Sequence, residues 1–144
     1  MIILILHGPN LSILGRREPE IYGTMTLHDL NELLHRAADE HNTALRIFQS
    51  NHEGRLIDLL EEHQGLTDAL IINPGALTHT SIALMDAVKA YGKPSVEVHL
   101  SDPQQREEFR HHSYISSVVE KTFVGNGSGS YLKAIEYLVN RNKE

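Results

Sequence analysis

The strongest constraint on the fold of this chain is the alternation of short apolar runs with longer amphipathic segments. The runs are rich in β-branched residues, and the longer segments repeat apolar residues every three or four positions. This alternation is typical of βα units, which build a parallel sheet covered by helices on both faces. We predict five strands, at Ile2–Leu6, Ala44–Gln49, Ala69–Ile72, Ser95–Val98 and Val118–Val124.

Four segments of helical periodicity lie between or after these strands. The clearest one begins at Thr26, where Thr26 and Asp29 form a capping-box pattern ahead of a leucine stripe. The other helical patterns cover Gly54–His63, Thr80–Tyr91 and Tyr131–Asn140. A chain of 144 residues with this pattern is expected to form a single α/β domain over residues 1–144, with a stretch lacking regular structure from about His7 to Met25.

The composition excludes several classes of function. There is no cysteine, so disulfides, thiolate metal sites and cysteine nucleophiles are absent. Thirteen basic against nineteen acidic residues give a net charge of -6 without a basic block, so we expect no nucleic-acid partner. The N-terminal apolar run resembles neither a membrane span nor a signal peptide, which predicts a cytoplasmic protein without a membrane partner. The ten histidines follow no metal-binding motif, so we predict no metal.

Polar residues are concentrated in the segments that follow the predicted strands. In open parallel sheets, ligands bind beyond the carboxyl ends of the strands, so these segments are expected to form one site. The last segment, GNGSGS, does not have the spacing of a dinucleotide-binding loop, and we interpret it as a turn that leads into a helix. No nucleotide cofactor is therefore predicted.

The segment after the first strand contains Asn10, Arg17 and Tyr22, with Gly15 and Gly23 placed as hinges of a lid. A tyrosine beside an arginine is a candidate base. Because a phenol ionises near pH 10, its anion needs about 4 kcal/mol of stabilisation to prevail near neutrality. One arginine in contact supplies about 1 to 4 kcal/mol, so Arg17 alone is marginal and exclusion of water has to help. The alternative is a solvated loop whose arginines pair with neighbouring glutamates.

The segment NPGALTHTS after the third strand is expected to place Asn73, His79 and backbone amides near a helix N-terminus, where an anion such as a carboxylate binds well. An ordinary helix cap at Thr78 or Thr80 explains the same residues. The two interpretations are not separated by the sequence.

Glu97 and His99 occupy alternate positions at the end of the fourth strand and share a face, so the carboxylate can fix the imidazole tautomer. His99 is a candidate general acid or base, with a purely structural histidine as the alternative. Arg106 and Arg110 lie four residues apart on a predicted short helix. They either bind a substrate carboxylate or belong to a surface ion-pair network.

Five segments together resemble the type II 3-dehydroquinate dehydratases, the small dehydroquinases. They are HGPNLSILGRREPEIYG, SNHEGRLID, INPGALTHTSIAL, VEVHLSDP with REEFRHHS, and GSGSYLKAIEYL, in the order of the family and over nearly the whole chain. The resemblance implies a flavodoxin-like three-layer fold and the dehydration of 3-dehydroquinate to 3-dehydroshikimate, in the shikimate pathway or in quinate breakdown. It also implies a dodecamer built from trimers, and chemistry without a metal, a cofactor or a Schiff base.

The resemblance further implies a role for each matching residue. Tyr22 matches the base that removes the proton next to the ketone, and Arg17 matches the residue that activates it. His99 matches the general acid that protonates the departing hydroxyl, Glu97 orients it, and Asn10 stabilises the enolate. The substrate-binding positions are matched by Asn73, His79, Leu100, Ser101 and Arg110, and by Asp86, which the family donates from a neighbouring subunit.

Four positions depart from the family pattern. The family commonly has Asn where His7, Ser12 and Asp102 stand, and Arg where Met85 stands. Met85 is the largest change, because it removes a cation directly before Asp86 and with it an expected ion pair at the subunit contact. None of the four changes the proposed base, its arginine or the proposed acid.

Two other hypotheses remain at the level of sequence. One is a flavodoxin-like binding or signalling module, and the other is an assembling homologue that has lost catalysis. A phosphoacceptor module needs acidic residues after the first strand, where His7 to Asn10 stand instead. A flavin carrier needs a hydroxyl-rich phosphate loop there, and Pro9 removes a backbone donor.

Overall fold

The computed structural model describes residues 1–141, and within them five strands form one parallel sheet. The strands are β1 (Ile2–His7), β2 (Ala44–Gln49), β3 (Ala69–Asn73), β4 (Ser95–Val98) and β5 (Lys121–Phe123). Their order across the sheet is β2-β1-β3-β4-β5, with every neighbouring pair parallel. This is the flavodoxin-like order, in which the winding direction reverses between β1 and β3. The predicted fold class is confirmed.

Helices cover both faces of the sheet. They are α1 (Pro19–Tyr22), α2 (Leu27–Glu40), α3 (Glu53–His63), α4 (Ile82–Tyr91) and α5 (Ser128–Asn140). Because successive strand residues point to opposite faces, β1 contributes to two cores. Ile3 and Ile5 pack with residues of α2 and α5, whereas Leu4 and Leu6 pack with residues of α3 and α4. Burial on both faces explains why β1 is apolar without alternation.

The start of α2 agrees with the sequence pattern. The Thr26 side chain accepts a hydrogen bond from the Asp29 amide at 3.1 Å, and the Asp29 carboxylate accepts one from the Thr26 amide at 3.2 Å. The predicted capping box is therefore confirmed. Its reciprocal bonds satisfy two amide groups that a helix N-terminus otherwise leaves without a partner.

Three predicted boundaries are wrong. Helix α5 begins at Ser128, three residues before the predicted start at Tyr131. Val118 ends a 3-10 turn over Ile115–Val118, so the last strand is β5 alone and is shorter than predicted. Val118 is apolar because it packs against the core, rather than because it belongs to a strand. Helix α4 begins two residues later than predicted, because Ser81 caps it by accepting from the Leu84 amide at 2.9 Å.

Two segments contain short helices that the sequence analysis did not place correctly. The stretch from His7 to Met25 was predicted to lack regular structure, yet it contains a 3-10 turn at Leu11–Ile13 and the helix α1, which begins at a proline. The short helix predicted for Arg106 and Arg110 is instead two 3-10 turns, Pro103–Gln105 and Glu108–Arg110. No helix among residues 1–141 is long and apolar enough to cross a membrane.

Candidate active site

A cavity of about 120 Å³ lies at the carboxyl edge of the sheet, beyond β1, β3 and β4. Its wall is built from the segments that follow these strands, at the place where the winding direction reverses. The wall includes these residues predicted for the site: Asn10, Arg17, Tyr22, Asn73, His79, His99, Leu100, Ser101 and Arg110. Its size suits a small molecule rather than a polymer.

Two guanidinium groups converge on the hydroxyl of Tyr22. Arg17 donates to it from Nη2 at 3.1 Å, and Arg106 donates from Nη1 at 2.7 Å. Both cations also lie over the aromatic ring, at 4.2 and 5.4 Å from its centroid. The Tyr22 oxygen therefore receives two charge-assisted hydrogen bonds, one from each arginine.

Arg106 is the site residue that the sequence analysis missed. It was considered only as a possible carboxylate ligand together with Arg110, because spacing along the chain gave no indication that it reaches the first loop. It lies between the two 3-10 turns that follow β4 and also lines the cavity. The tyrosine oxygen thus has a second charged donor besides Arg17.

The lid is a backbone arrangement that two glycines make possible. Gly15 and Gly23 adopt φ values of 89° and 79°, in the left-handed region that favours glycine. A Cβ at Gly15 would lie 2.9 Å from the Thr24 carbonyl oxygen, so the two ends of the lid are close together. Arg17 donates to Tyr22 rather than to a neighbouring glutamate, so the solvated-loop alternative is not what the chain adopts.

The imidazole ring of His99 is hydrogen-bonded to a buried carboxylate. The His99 Nε2 atom lies 2.5 Å from Oε2 of Glu97, whose side chain is about 1% exposed. Because Nε2 faces Glu97, Nδ1 is the ring nitrogen left for a substrate in the cavity. Glu97 itself lies behind the cavity wall, as expected for an orienting residue.

Two hydroxyls complete the surroundings of Glu97. Thr78 donates to its Oε2 at 2.5 Å, and Ser113 donates to its Oε1 at 3.1 Å. Burial by itself raises the pKa of Glu97, but hydrogen bonds from His99, Thr78 and Ser113 together hold that pKa below its ordinary value. The carboxylate of Glu97 is therefore charged, and a charged carboxylate stabilises the protonated form of a histidine beside it.

The wall after β3 differs in detail from the expectation. The cavity is lined by the 3-10 turn Gly75–His79 rather than by the N-terminus of α4. Thr78 is neither a helix cap nor a ligand but a donor to Glu97. Asn73 orients its amide by accepting the Gly75 N–H at 3.1 Å.

His79 and Arg110 line the same side of the cavity. The Nδ1 atom of His79 lies 2.6 Å from the carbonyl oxygen of His112, which leaves Nε2 for a ligand. Burial, together with the nearby His99 and Arg110, lowers the pKa of His79, although its hydrogen bond to His112 acts in the opposite direction. Arg110 donates from Nε to Glu107 at 2.5 Å, and its terminal nitrogens remain for a carboxylate.

Backbone groups contribute the rest of the wall. The carbonyls of Leu100 and Ser101 accept from Gly127 and Gly125 at 3.0 and 3.2 Å, which anchors this segment. Among residues 1–141, the amides of Leu100 and Ser101 donate to no protein group, so they are available to an anion. Asn10 adopts φ 71°, and its amide donates to Oδ1 of Asn51 at 3.0 Å.

Asp86 is the predicted residue that the fold does not bring to its own cavity. It is exposed on α4, away from the cavity wall. The preceding Met85 is half-buried and packs against the core, with its sulfur 3.6 Å from the Ser117 hydroxyl. Within the described residues, no group of three or more His, Asp or Glu side chains is arranged to hold a metal ion.

Comparison with known proteins decides the family. The profile of the family described as Dehydroquinase class II matches residues 1–139. The chain belongs to this family. The resemblance inferred from the sequence motifs is thereby confirmed, and the fold of this class II dehydroquinase is the one that the motifs implied.

Relatives and solved structures agree with this assignment. The 3-dehydroquinate dehydratase of Corynebacterium glutamicum strain R is 52% identical over 141 residues, which cover 98% of this chain and 97% of that protein. The crystal structure of the type II dehydroquinase from Propionibacterium acnes matches with a TM-score of 0.93 at 40% identity, covering 96% of each chain. That from Butyrivibrio crossotus DSM 2876 matches with a TM-score of 0.94 at 40% identity, covering 97% of each chain.

Proposed function

We propose that this class II dehydroquinase is a 3-dehydroquinate dehydratase, a hydro-lyase that converts 3-dehydroquinate into 3-dehydroshikimate and water. Membership of the family and the 52% identity to a 3-dehydroquinate dehydratase support the reaction. One observation carries the chemistry: a phenol held by two guanidinium groups and an imidazole backed by a buried carboxylate line the same small cavity. A base and an acid are what a β-elimination of water requires.

In this proposal Tyr22 is the base. Its phenolate, stabilised by Arg17 and Arg106, takes the proton from the carbon next to the ketone. The electron pair of the broken C–H bond moves into the carbonyl and forms an enolate. Asn10, which lines the same cavity, stabilises the negative charge on the enolate oxygen.

His99 is the proposed acid. Its Nδ1–H gives a proton to the departing hydroxyl while the enolate collapses, so the C–O bond breaks and water leaves. Glu97 stabilises the imidazolium before the transfer and keeps Nδ1 directed at the cavity. The proton taken by Tyr22 then returns through solvent to His99, which restores the starting state. In this scheme Tyr22 removes the proton from one face of the substrate ring and the hydroxyl protonated by His99 leaves from the opposite face, so the reaction is an anti elimination.

The remaining wall holds the substrate in this scheme. The amides of Leu100 and Ser101 and the side chains of Asn73, His79 and Arg110 bind the carboxylate and ring hydroxyls. We further propose a cytoplasmic enzyme of one catalytic domain that assembles into trimers and then a dodecamer. Asp86 is exposed, which supports a role at a neighbouring subunit's site.

The deciding experiment follows ultraviolet absorbance when purified protein is mixed with 3-dehydroquinate, because dehydration creates a conjugated enone. We expect absorbance to rise, both in the presence of chelator and after borohydride treatment. A rise abolished by chelator or borohydride would contradict the metal-free, imine-free scheme. No rise under any condition would favour the alternative of an inactive binding or assembly module.

A further inference from the structure

A polar cluster lies in the core between the sheet and helices α2 and α5. It consists of His7 at the end of β1, Asn31 in α2 and Tyr131 in the first turn of α5. His7 and Tyr131 are completely buried. Buried polar groups destabilise a core unless they are hydrogen-bonded, and within residues 1–141 no buried side-chain nitrogen or oxygen lacks a partner. The polar side chains of this cluster therefore satisfy one another by hydrogen bonds.

The direction of its hydrogen bonds follows from chemistry. His7 Nε2 lies 2.9 Å from Oδ1 of Asn31, and an amide oxygen only accepts, so Nε2 carries the proton. Nδ1 must then accept, and the hydroxyl of Tyr131 at 2.9 Å is its donor. Burial lowers the pKa of His7 to about 4, so the ring stays neutral and this direction is kept near neutral pH.

The cluster reaches the cavity through Asn73. His7 and Asn73 are register partners on β1 and β3, at the strand ends that open on the cavity. Burial raises the pKa of Tyr131, and an interaction with the Asn73 side chain partly offsets that rise. The Gly8 amide also donates to the Asn73 carbonyl at 2.7 Å, and a Cβ at Gly8 would lie 2.8 Å from that oxygen. The two strand ends are held with little freedom.

We propose that His7 and Tyr131 are positioning residues that hold the Asn73 amide in its substrate-binding orientation. The Asn73 Oδ1 accepts the Gly75 amide at 3.1 Å, so the NH2 group of Asn73 is the part of the side chain left to donate to a ligand in the cavity. The inference rests on the proposed function, because Asn73 is assigned there to substrate binding.

The test compares Tyr131→Phe with the matched control Tyr91→Phe. Tyr91 is equally buried, and its hydroxyl lies 2.9 Å from the Thr67 hydroxyl, away from the cavity wall. Each substitution removes one buried hydrogen-bonding hydroxyl. We expect Tyr131→Phe to raise KM for 3-dehydroquinate about five- to tenfold with kcat changed about twofold or less, and Tyr91→Phe to leave both parameters unchanged. An equal KM in the two variants would overturn the proposal.

Variants at His7 and Asn73 give a second test that does not depend on the folding of Tyr131→Phe. His7→Asn keeps an acceptor and should keep the wild-type KM, whereas His7→Leu should raise KM as Tyr131→Phe does. In an Asn73→Ala background, Tyr131→Phe should add nothing to KM, whereas additive effects would contradict coupling. If the wild-type protein does not turn over 3-dehydroquinate, the proposed function fails. If it does and the His7 variants share one KM, only this inference fails.

Discussion

Arg106 and Tyr22 lie 84 positions apart in the sequence and meet at 2.7 Å, guanidinium nitrogen to phenol oxygen. The contact joins the segment after β1 to the loop after β4. Arg17, five positions from Tyr22, supplies only the local half of this arrangement. The electrostatic environment of the proposed base is thus created by tertiary structure.

Tyr22→Phe tests the base directly. The substitution keeps the ring between the two arginines but removes the group that accepts the proton. Because a positioned general base contributes about 10² to 10⁴ in rate, we expect kcat to fall by that factor. Enone absorbance measures it, with Tyr137→Phe as the control, since Tyr137 bonds Glu120 away from the cavity wall. Unchanged turnover in Tyr22→Phe would remove Tyr22 from the mechanism.

Arg106→Ala tests the second cation. Because one of the two charged donors to the Tyr22 oxygen is lost, we expect kcat at neutral pH to fall about ten- to a hundredfold. Arg55→Ala is a suitable control, because Arg55 is an exposed partner of Glu62 on α3. An unchanged kcat in Arg106→Ala would show that Arg17 suffices.

His99 and Glu97 are tested by substitution. His99→Ala should cripple elimination while leaving the fold intact. Glu97→Gln removes the negative charge beside His99 Nε2, and we expect kcat to fall about tenfold to a thousandfold. Glu120→Gln, which alters a surface contact with Arg141, is the control, and equal kcat values in the two variants would contradict the assignment.

Ser113→Ala examines the support of the carboxylate. One hydrogen bond to Glu97 is lost while the bonds from His99 and Thr78 remain. We expect a smaller loss of kcat than in Glu97→Gln, because the carboxylate keeps its charge but is less firmly oriented. Steady-state rates measure it. A loss larger than that of Glu97→Gln would show that Ser113 acts on something other than the carboxylate.

The stability of the protein should depend on His7 at acidic pH. Burial lowers the pKa of His7 from 6.5 in the ordinary case to about 4, so between these values the unfolded chain binds a proton that the native chain does not. The free energy of unfolding is therefore highest above about pH 6.5 and loses about 3 kcal/mol from this group as the pH falls to about 4. Urea titrations at several pH values should show this slope in the wild type and its loss in His7→Asn. Identical slopes would contradict the buried neutral state.

Local signals determined the parts of the fold that depend on neighbouring residues. The capping box at Thr26 consists of hydrogen bonds between residues three positions apart, and β1 is a continuous apolar run. Both features could therefore be predicted directly from the sequence. Two of the boundaries that failed, at Val118 and at the start of α4, are those where an apolar residue packs against the core or a hydroxyl residue caps a helix instead of extending an element. Periodicity does not separate these uses.

The sequence by itself determined the fold class, the family and nine of the residues that line the cavity, because each motif lies directly after a strand whose end faces that cavity. Only the tertiary structure decided three sets of hydrogen bonds. Arg106 donates to Tyr22, Thr78 and Ser113 donate to Glu97, and His7 is bonded to Tyr131. Each of these contacts joins segments far apart in the chain. Their distances depend on strand order and loop packing, which no local pattern of residues encodes.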